Sequence, residues 1–359
     1  MRPKNLRIEH IAAAMKRTVD EVLELAAHPR KAHRTPRMRS VGPKTRLITP
    51  PRRDWKMPLR WLGVFLRREF PLHPAAHGSV PGCSPFTAAS RHLGRRNLLS
   101  RDVKNAFPNV KASRFYLEML ALGFSREMAS LLTKLLLPDG YIPQGGPASN
   151  AAIDLFFYRI DCDIEREISA FAARYTRFTD NLDASFRDPL YAEQIGLIIE
   201  RNLARLGLSI NSRKVQESGW QPVGRERTVC GVRVNSPKGT QLPRDVAKRL
   251  FDSCERLYRG ARSVAPHTLP GLARRRRSLQ GWLNQSSQAD IAPIGDLQRR
   301  LHQADFVVLS ELRKHRIFPN HEWYTRGKYF DEASDIAALW ARRRMLATAS
   351  TRRDTKSVA

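Results

Sequence analysis

The sequence predicts an α+β chain, and three observations carry that prediction. Strand-like and helical patterns alternate up to about residue 237. From Pro243 onward the pattern is helical and basic only. Two strand-like runs each close on an isolated carboxylate, Asp102 and Asp180, which points to a sheet edge that carries chemistry.

The elements follow in order. Residues 5–28 read as helical, with Ile8, Ile11 and Met15 on one face. Thr18-Val19-Asp20-Glu21 is a capping box that opens a second helix through Leu23, Leu25 and Ala26, and Pro29 ends it. Arg37–Val41 and Thr45–Ile48 flank Gly42-Pro43 as a hairpin dense in cations, among them Lys44 and Arg46. Such a hairpin can fold over a triphosphate or a nucleic-acid backbone, or simply be solvated. Residues 58–70 read as a helix carrying Trp61, Val64, Phe65 and Phe70. A loop rich in Pro and Gly runs from His73 to Ser84.

Asn97–Val103 reads as a buried strand ending at Asp102. Arg114–Leu122 and Ser125–Leu137 are amphipathic helices, the second capped by Ser125. Pro143–Ser149 is a turn of Gly and small residues that opens a helix to about Ala172 and lets a flat ligand approach the backbone. Arg174–Ser185 (R-Y-T-R-F-T-D-N-L-D-A-S) reads as two short strands joined by a tight turn at Asp180-Asn181. An Asp-Asn pair is also ordinary turn chemistry, so this stretch decides nothing by itself. A helix over about Tyr191–Leu206, a strand from Gly207 toward Lys214, and a strand Thr228–Val234 complete the mixed part. Helices follow over 244–260, 270–285 and 294–315, the second carrying the run Arg274, Arg275, Arg276, Arg277.

Composition narrows the function. The chain has 359 residues, with 63 Lys+Arg against 34 Asp+Glu and a net charge of +29. A hydrophobic fraction of 42% supports a real core, which excludes a disordered basic tail. An excess of this size, spread along the chain, implies a polyanionic partner, with nucleic acid first. No apolar run is long enough to span a bilayer, and the N-terminus lacks the apolar core of a signal peptide, so no membrane role is expected. Cys83, Cys162, Cys230 and Cys254 are far apart and form no C-x-x-C pair. They read as reduced thiols of a cytoplasmic protein rather than a zinc site.

Two carboxylates brought together at the edge of an antiparallel sheet can hold two Mg²⁺ ions, with Mn²⁺ as the alternative. That is the arrangement in-line nucleotidyl transfer uses: one ion activates a primer 3′-hydroxyl and the other holds the triphosphate. Asp183 lies two residues beyond Asn181 with the same strand parity; it reads as a solvent-facing or structural acid, with partial compensation for the amide at 181 as the alternative.

The motifs, taken in order, resemble the reverse transcriptases of bacteria, most closely those of retrons and related phage-defence systems, over about residues 8 to 315. K-T-R-L-I-T-P-P resembles the fingers strand, so Arg46, with Lys44, is implied to contact the incoming nucleotide. Ala76-His77-Gly78 followed by Ala88-Ala89-Ser90-Arg91-His92 is similar to the retron signature N-A-x-x-H with its Asn lost. L-S-R-D-V-K-N-A-F-P resembles the first palm motif and implies Asp102 and Val103 at the metal, with Phe107 as the sugar gate that selects deoxynucleotides. I-P-Q-G-G-P-A-S-N implies Gln144 beside the nucleotide. G-L-S-I-N-S-R-K implies that Lys214 protonates the pyrophosphate, and T-V-C-G-V-R-V-N resembles the primer grip.

The catalytic hairpin departs from the family's aromatic-x-Asp-Asp and reads Phe178-Thr179-Asp180-Asn181. Asp180 keeps the first position, while Asn181 offers a neutral oxygen in place of a charged one. The chain could therefore be a natural variant, a deliberately weakened mutant, or an RNA-binding scaffold that no longer polymerises. The resemblance implies a right-hand polymerase: an N-terminal helical extension over 1–35; fingers over 36–97, with 111–150 shared between fingers and palm; a palm over 98–237; a helical thumb over 238–325; and a basic tail over 326–359. Arg274 to Arg277 would grip an RNA–DNA duplex by its phosphates. The implied substrates are dNTPs on a structured non-coding RNA template, and an effector protein could be a partner in anti-phage defence. A self-splicing-intron enzyme is not expected, because no room is left for a maturase region or a Cys/His-rich endonuclease end.

Overall fold

The structure is a computed structural model that describes residues 3–314, except 42–43, 71, 214–218, 238, 264, 266 and 287–291. The chain forms two compact units, Met1–Cys230 and Gly231–Ala359.

The first unit is α+β. It opens with α1 (Ile8–Met15) and α2 (Val19–Ala27). Ile11 and Met15 are buried, and the Thr18–Glu21 capping box forms as the sequence predicts. A hairpin of β1 (Arg37–Val41) and β2 (Lys44–Ile48) follows, antiparallel from Arg37↔Ile48 to Val41↔Lys44. The third helix, α3, spans Arg53–Glu69 and so begins before the expected residue 58. Pro58 lies inside it and cannot donate to the carbonyl of Asp54 four residues back. Arg17 Nη2 donates to that carbonyl at 2.9 Å and satisfies it, which lets the helix run through the proline. The buried stripe of α3 is Leu59, Leu62 and Leu66; of the residues singled out from the sequence, Phe70 is buried and Val64 is 59% exposed.

The central sheet is antiparallel, in the order β4–β5–β3–β6, with β3 at Asn97–Asp102, β4 at Arg174–Phe178, β5 at Asn181–Phe186 and β6 at Trp220–Gln221. The long helix α8 (Ser149–Ser169) and α9 (Ala192–Arg205) pack on one face. Leu99, Val103, Leu182, Ala184 and Phe186 join that core. Between β3 and α8 lie the short helices α5 (Ala106–Asn109), α6 (Ala112–Ala121) and α7 (Arg126–Leu136), with Ser125 accepting from the Met128 amide as the N-cap.

The opposite face of the sheet is polar where α4 (Pro85–Ser90) approaches it. His92 sits just beyond α4, 1% exposed, and staples two strands: Nδ1 lies 2.8 Å from Ser185 Oγ on β5, and Nε2 lies 2.7 Å from Thr176 Oγ1 on β4. The signature histidine is thus a buried strand tie. Burial, then the cations Arg174 and His77, push its pKa down to about 3. In the unfolded chain the same imidazole titrates near 6.5. The neutral ring therefore contributes stability that is complete above that pH and lost as pH falls toward 3. The parent is expected to lose about 1.4 kcal/mol per pH unit across this window through His92. His92→Gln removes that slope. Urea midpoints of parent and variant at several pH values between 4 and 8 check it, and parallel profiles would refute it.

Three strand expectations are corrected. The register Phe178↔Asn181 makes the connecting turn Thr179-Asp180, not Asp180-Asn181, and Asn181 is the first residue of β5. The expected strand from Gly207 reduces to one bridge, Ile210 with Val103, and Lys214 lies outside the described residues. The expected strand Thr228–Val234 is broken into β7 (Thr228–Val229) and β8 (Val232–Arg233), because Cys230 and Gly231 between them have φ of 51° and 75°.

Beyond β8 the described part of the second unit is helical: α10 (Arg244–Arg262), α11 (Leu269–Ser286) and α12 (Ala292–Lys314), packed through Leu257, Leu272, Leu279, Leu301 and Val308. Arg276 is 3% exposed and forms a buried pair with Asp305, Nη2 to Oδ2 at 2.8 Å. It does not belong to an exposed phosphate-gripping face, because Asp305 and the helix packing enclose it. Arg274 and Arg275 are exposed, and the side chain of Arg277 lies outside the described residues.

Candidate active site

The first unit carries a cleft of about 780 Å³ lined by Arg46, Asp102, Val103, Phe107, Gln144, Asp180 and Asn181 among others. All of these were singled out from the sequence. They come from five separate segments, so the fold assembles them. Lys44 belongs to β2, its side chain lies outside the described residues, and the cleft is lined beside it by Thr45.

Strand register explains the acids. Asp102 and Asn181 are direct partners across β3 and β5, and Ser100 and Asp183 are partners two rungs further in. All four point away from the helix-covered face, since their neighbours of opposite parity, Leu99 on β3 and Leu182 on β5, join the core. Asp180 sits in the turn beyond that rung, and its carbonyl accepts from the Val103 amide at 2.9 Å. That bond closes the end of β3 onto the turn and brings Asp102 and Asp180 to the same wall.

Asp183 is 3% exposed, accepts from Ser100 Oγ and is not part of the cleft lining. Burial pushes its carboxyl up to about 7 against the pull of that hydroxyl. Of the roles the sequence leaves open it takes the structural one, neither solvent-facing nor in the cleft, and it does not stand in for the charge missing at Asn181.

The walls follow from local chemistry. Asn105 takes φ 47°, a left-handed turn that Asn tolerates, and opens α5 with Phe107 half-buried against the core at the cleft. Gly145 has φ 86°, and a Cβ there would lie 2.8 Å from Ile48 Cγ2 of the hairpin. The Gln144 carbonyl accepts from the Thr49 amide at 3.0 Å, so the small-residue loop and the basic hairpin form one wall.

Sequence reasoning missed two features. Asn211 donates its amide to the Asp102 carbonyl at 2.7 Å and lies with Nδ2 3.4 Å from Asp102 Oδ2. It stands in the quoted G-L-S-I-N-S-R-K, but a turn asparagine gives no signal of its target. The other is Arg177, which is fully buried beneath the turn. Its signal was available: Arg177 shares strand parity with buried Tyr175, and α8 carries Asp154 and Asp161 seven apart in an apolar stretch.

Asp102, Asp180 and Asn181 offer only oxygen donors, with two formal charges, which suits a hard divalent cation better than zinc or a thiolate-seeking metal. Among the described residues, no group of three or more His, Cys, Asp or Glu side chains is placed to hold a metal. A cation in this cleft would rest on the carboxylates of Asp102 and Asp180 and the side-chain oxygen of Asn181.

An antiparallel sheet backed by two helices, with two carboxylates meeting at its open end, is the palm of a right-hand polymerase. The chain is 30% identical over 223 residues to the retron Mx65 reverse transcriptase of Myxococcus xanthus, covering 57% of this chain and 51% of that protein. It is 24% identical over 245 residues to the retron Ec86 reverse transcriptase of Escherichia coli, covering 68% and 72%. The chain is thus similar to bacterial retron-type reverse transcriptases. The match spans about half the length of the Myxococcus protein. No family model matches the chain. Among solved structures, the telomerase of Candida tropicalis aligns over 91% of this chain and 65% of its own, at 9% identity and a TM-score of 0.46, too loose a likeness to carry weight. Among the described residues, no helix is long and apolar enough to cross a membrane.

Proposed function

We propose that the chain is an RNA-directed DNA polymerase that extends a primer on an RNA template. The observation that carries this reading is the convergence of Asp102 and Asp180 on one cleft whose other walls are Phe107, Gln144 and Arg46. Asp102, Asp180, Asn181 and the backbone at Val103 would hold Mg²⁺ or Mn²⁺. Such cations, when bound, acidify the primer 3′-hydroxyl and neutralise the triphosphate. The 3′-oxygen attacks the α-phosphorus, the bond to the bridging oxygen breaks, and pyrophosphate leaves.

The chain's own residues do the positioning. Arg46 faces the triphosphate as a cation, Gln144 borders the base and sugar, and Lys214 supplies a proton to the leaving group. Phe107 fills the space a ribose 2′-hydroxyl would need. Arg274 and Arg275 hold duplex phosphates. A structured non-coding RNA as template, a cytoplasmic setting, an effector partner and a role in anti-phage defence extend the same reading by kinship with retron-type enzymes. Fingers, palm and thumb take the boundaries given above, with the thumb in the second unit.

A second reading, an RNA-binding scaffold with weak or no synthesis, is favoured by Asn181, which leaves the cation with two formal charges. Primer extension on an RNA template with dNTPs and Mg²⁺ or Mn²⁺ separates them. Product from the parent supports the polymerase. If neither the parent nor Asn181→Asp yields product with either cation, the scaffold stands. In the same assay Phe107→Val is expected to raise ribonucleotide use about tenfold or more, and unchanged discrimination would remove its gating role.

A further inference from the structure

Arg177 is the largest fully buried side chain among the described residues. A buried guanidinium must be paired, and this one is: Nε lies 2.9 Å and 3.1 Å from the two Asp161 oxygens, and Nη1 and Nη2 each lie 3.4 Å from Asp154 Oδ1. Arg67 caps the other oxygen of Asp154 at 2.8 Å, so two arginines and two carboxylates cancel in charge. Charge cancellation alone does not require the remaining bond. Arg177 Nη1 also donates at 3.0 Å to the carbonyl of Thr179, the residue immediately before Asp180.

The same turn is gripped from its other side. Arg177 N donates to Ala75 O at 2.7 Å and His77 N donates to Arg177 O at 2.8 Å, so residues 75–77 run along the outer edge of β4. That edge carries Gly78 against the turn, where a Cβ would lie 2.4 Å from both the amide nitrogen and Oγ1 of Thr179. Arg67, the far end of the charge cluster, donates to the carbonyl of Ser79 at 2.5 Å and so ties this segment to the cluster as well. Thr179 itself is held at φ 60°, a region a β-branched residue avoids unless its surroundings impose it.

We propose that Arg177, with Asp154, Asp161 and Arg67 behind it and Gly78 in front, is a positioning clamp: it forces the left-handed turn that presents Asp180 to the cleft and thereby sets divalent-cation affinity. The clamp rests on the polymerase reading for its purpose, but its mechanical part stands apart from catalysis. No residue of the clamp is a catalytic residue, because none of them lines the cleft.

Arg177→Lys in the full chain tests it. A lysine ammonium can pair with Asp161 but lacks the fork that reaches the Thr179 carbonyl at the same time. Three readouts are taken: thermal unfolding, Mn²⁺ binding by calorimetry, and amide hydrogen exchange of residues 178–182 and Val103 in cation-free protein. The expected result is a cooperatively folded variant whose Mn²⁺ binding is about tenfold weaker. Its turn and Val103 amides exchange about tenfold faster, while those of α6 keep the parent rate. A folded variant with the parent's Mn²⁺ affinity and turn exchange overturns the clamp. If Arg177→Lys does not fold, Gly78→Ala, which lies outside the charge cluster, takes the same three measurements with the same expected and overturning results. A parent that binds no Mn²⁺ would instead overturn the metal-site reading, and the exchange data would still decide whether the turn is clamped.

Discussion

Asp102→Ala is expected to lower the rate of nucleotide addition at least about a thousandfold, since losing a carboxylate that holds the cation removes several kcal/mol of charge stabilisation. Folding should survive. Asp102 is half-exposed on the open face of the sheet, and the bonds that fix its strand are made by its backbone, including the Asn211 amide to its carbonyl. Single-turnover extension at saturating dNTP measures the loss, and a melting temperature within a few degrees of the parent shows that the loss is chemical. Synthesis that persists at the parent rate would remove Asp102 from the site. The comparison with Asn181→Asp sharpens the test. Asp102 and Asn181 are direct cross-strand partners, so a carboxylate at 181 would put like charges face to face. The neutral amide spares the cation-free protein that repulsion and gives up cation affinity in exchange. Asn181→Asp should therefore bind Mn²⁺ more tightly than the parent and be less stable without it.

The sequence carried the elements and most of the cleft, for reasons that can be named. Periodicity marked α1, α2, α6, α7 and α9, because each buries one stripe. The hairpin signal marked β4 and β5, because aromatic and β-branched residues surround one polar point. What it missed involves partners distant in the chain. The turn lies one residue earlier than expected, because Thr179 accepts a left-handed φ that Arg177 and Gly78 impose. Arg276 looked like one of four equivalent cations, and only Asp305, 29 residues on, distinguishes it. Arg177 looked like part of a basic strand, and only the spacing of Asp154 and Asp161 on α8 reveals that it is buried. A charge in a sequence reads as exposed until its partner is found, and the partner is fixed by the tertiary fold.

The clamp's carboxylates make the largest stability prediction. Asp161 is fully buried and takes the Nε of Arg177 on both oxygens, with the Tyr175 hydroxyl at 2.8 Å as a second donor. Asp161→Ala leaves Arg177 with the longer contacts to Asp154 and the turn carbonyl, and leaves the tyrosine hydroxyl without its acceptor. Removing one partner of a buried pair costs about 3–5 kcal/mol, much of it the penalty of the charge left behind. For a unit of this size that is a fall of roughly 10 °C or more in melting temperature. Asp163 is the internal control: it lies on the same helix and pairs with Arg166 and Arg205, both more than half exposed. Asp163→Ala should cost no more than about 1 kcal/mol. Combining Asp161→Ala with Arg177→Leu removes both charges, and the double variant should lose less than the sum of the two singles. Additive losses, or an Asp161→Ala variant as stable as Asp163→Ala, would mean that the guanidinium is held by its packing against Phe157, 4.9 Å away, and not by its carboxylates.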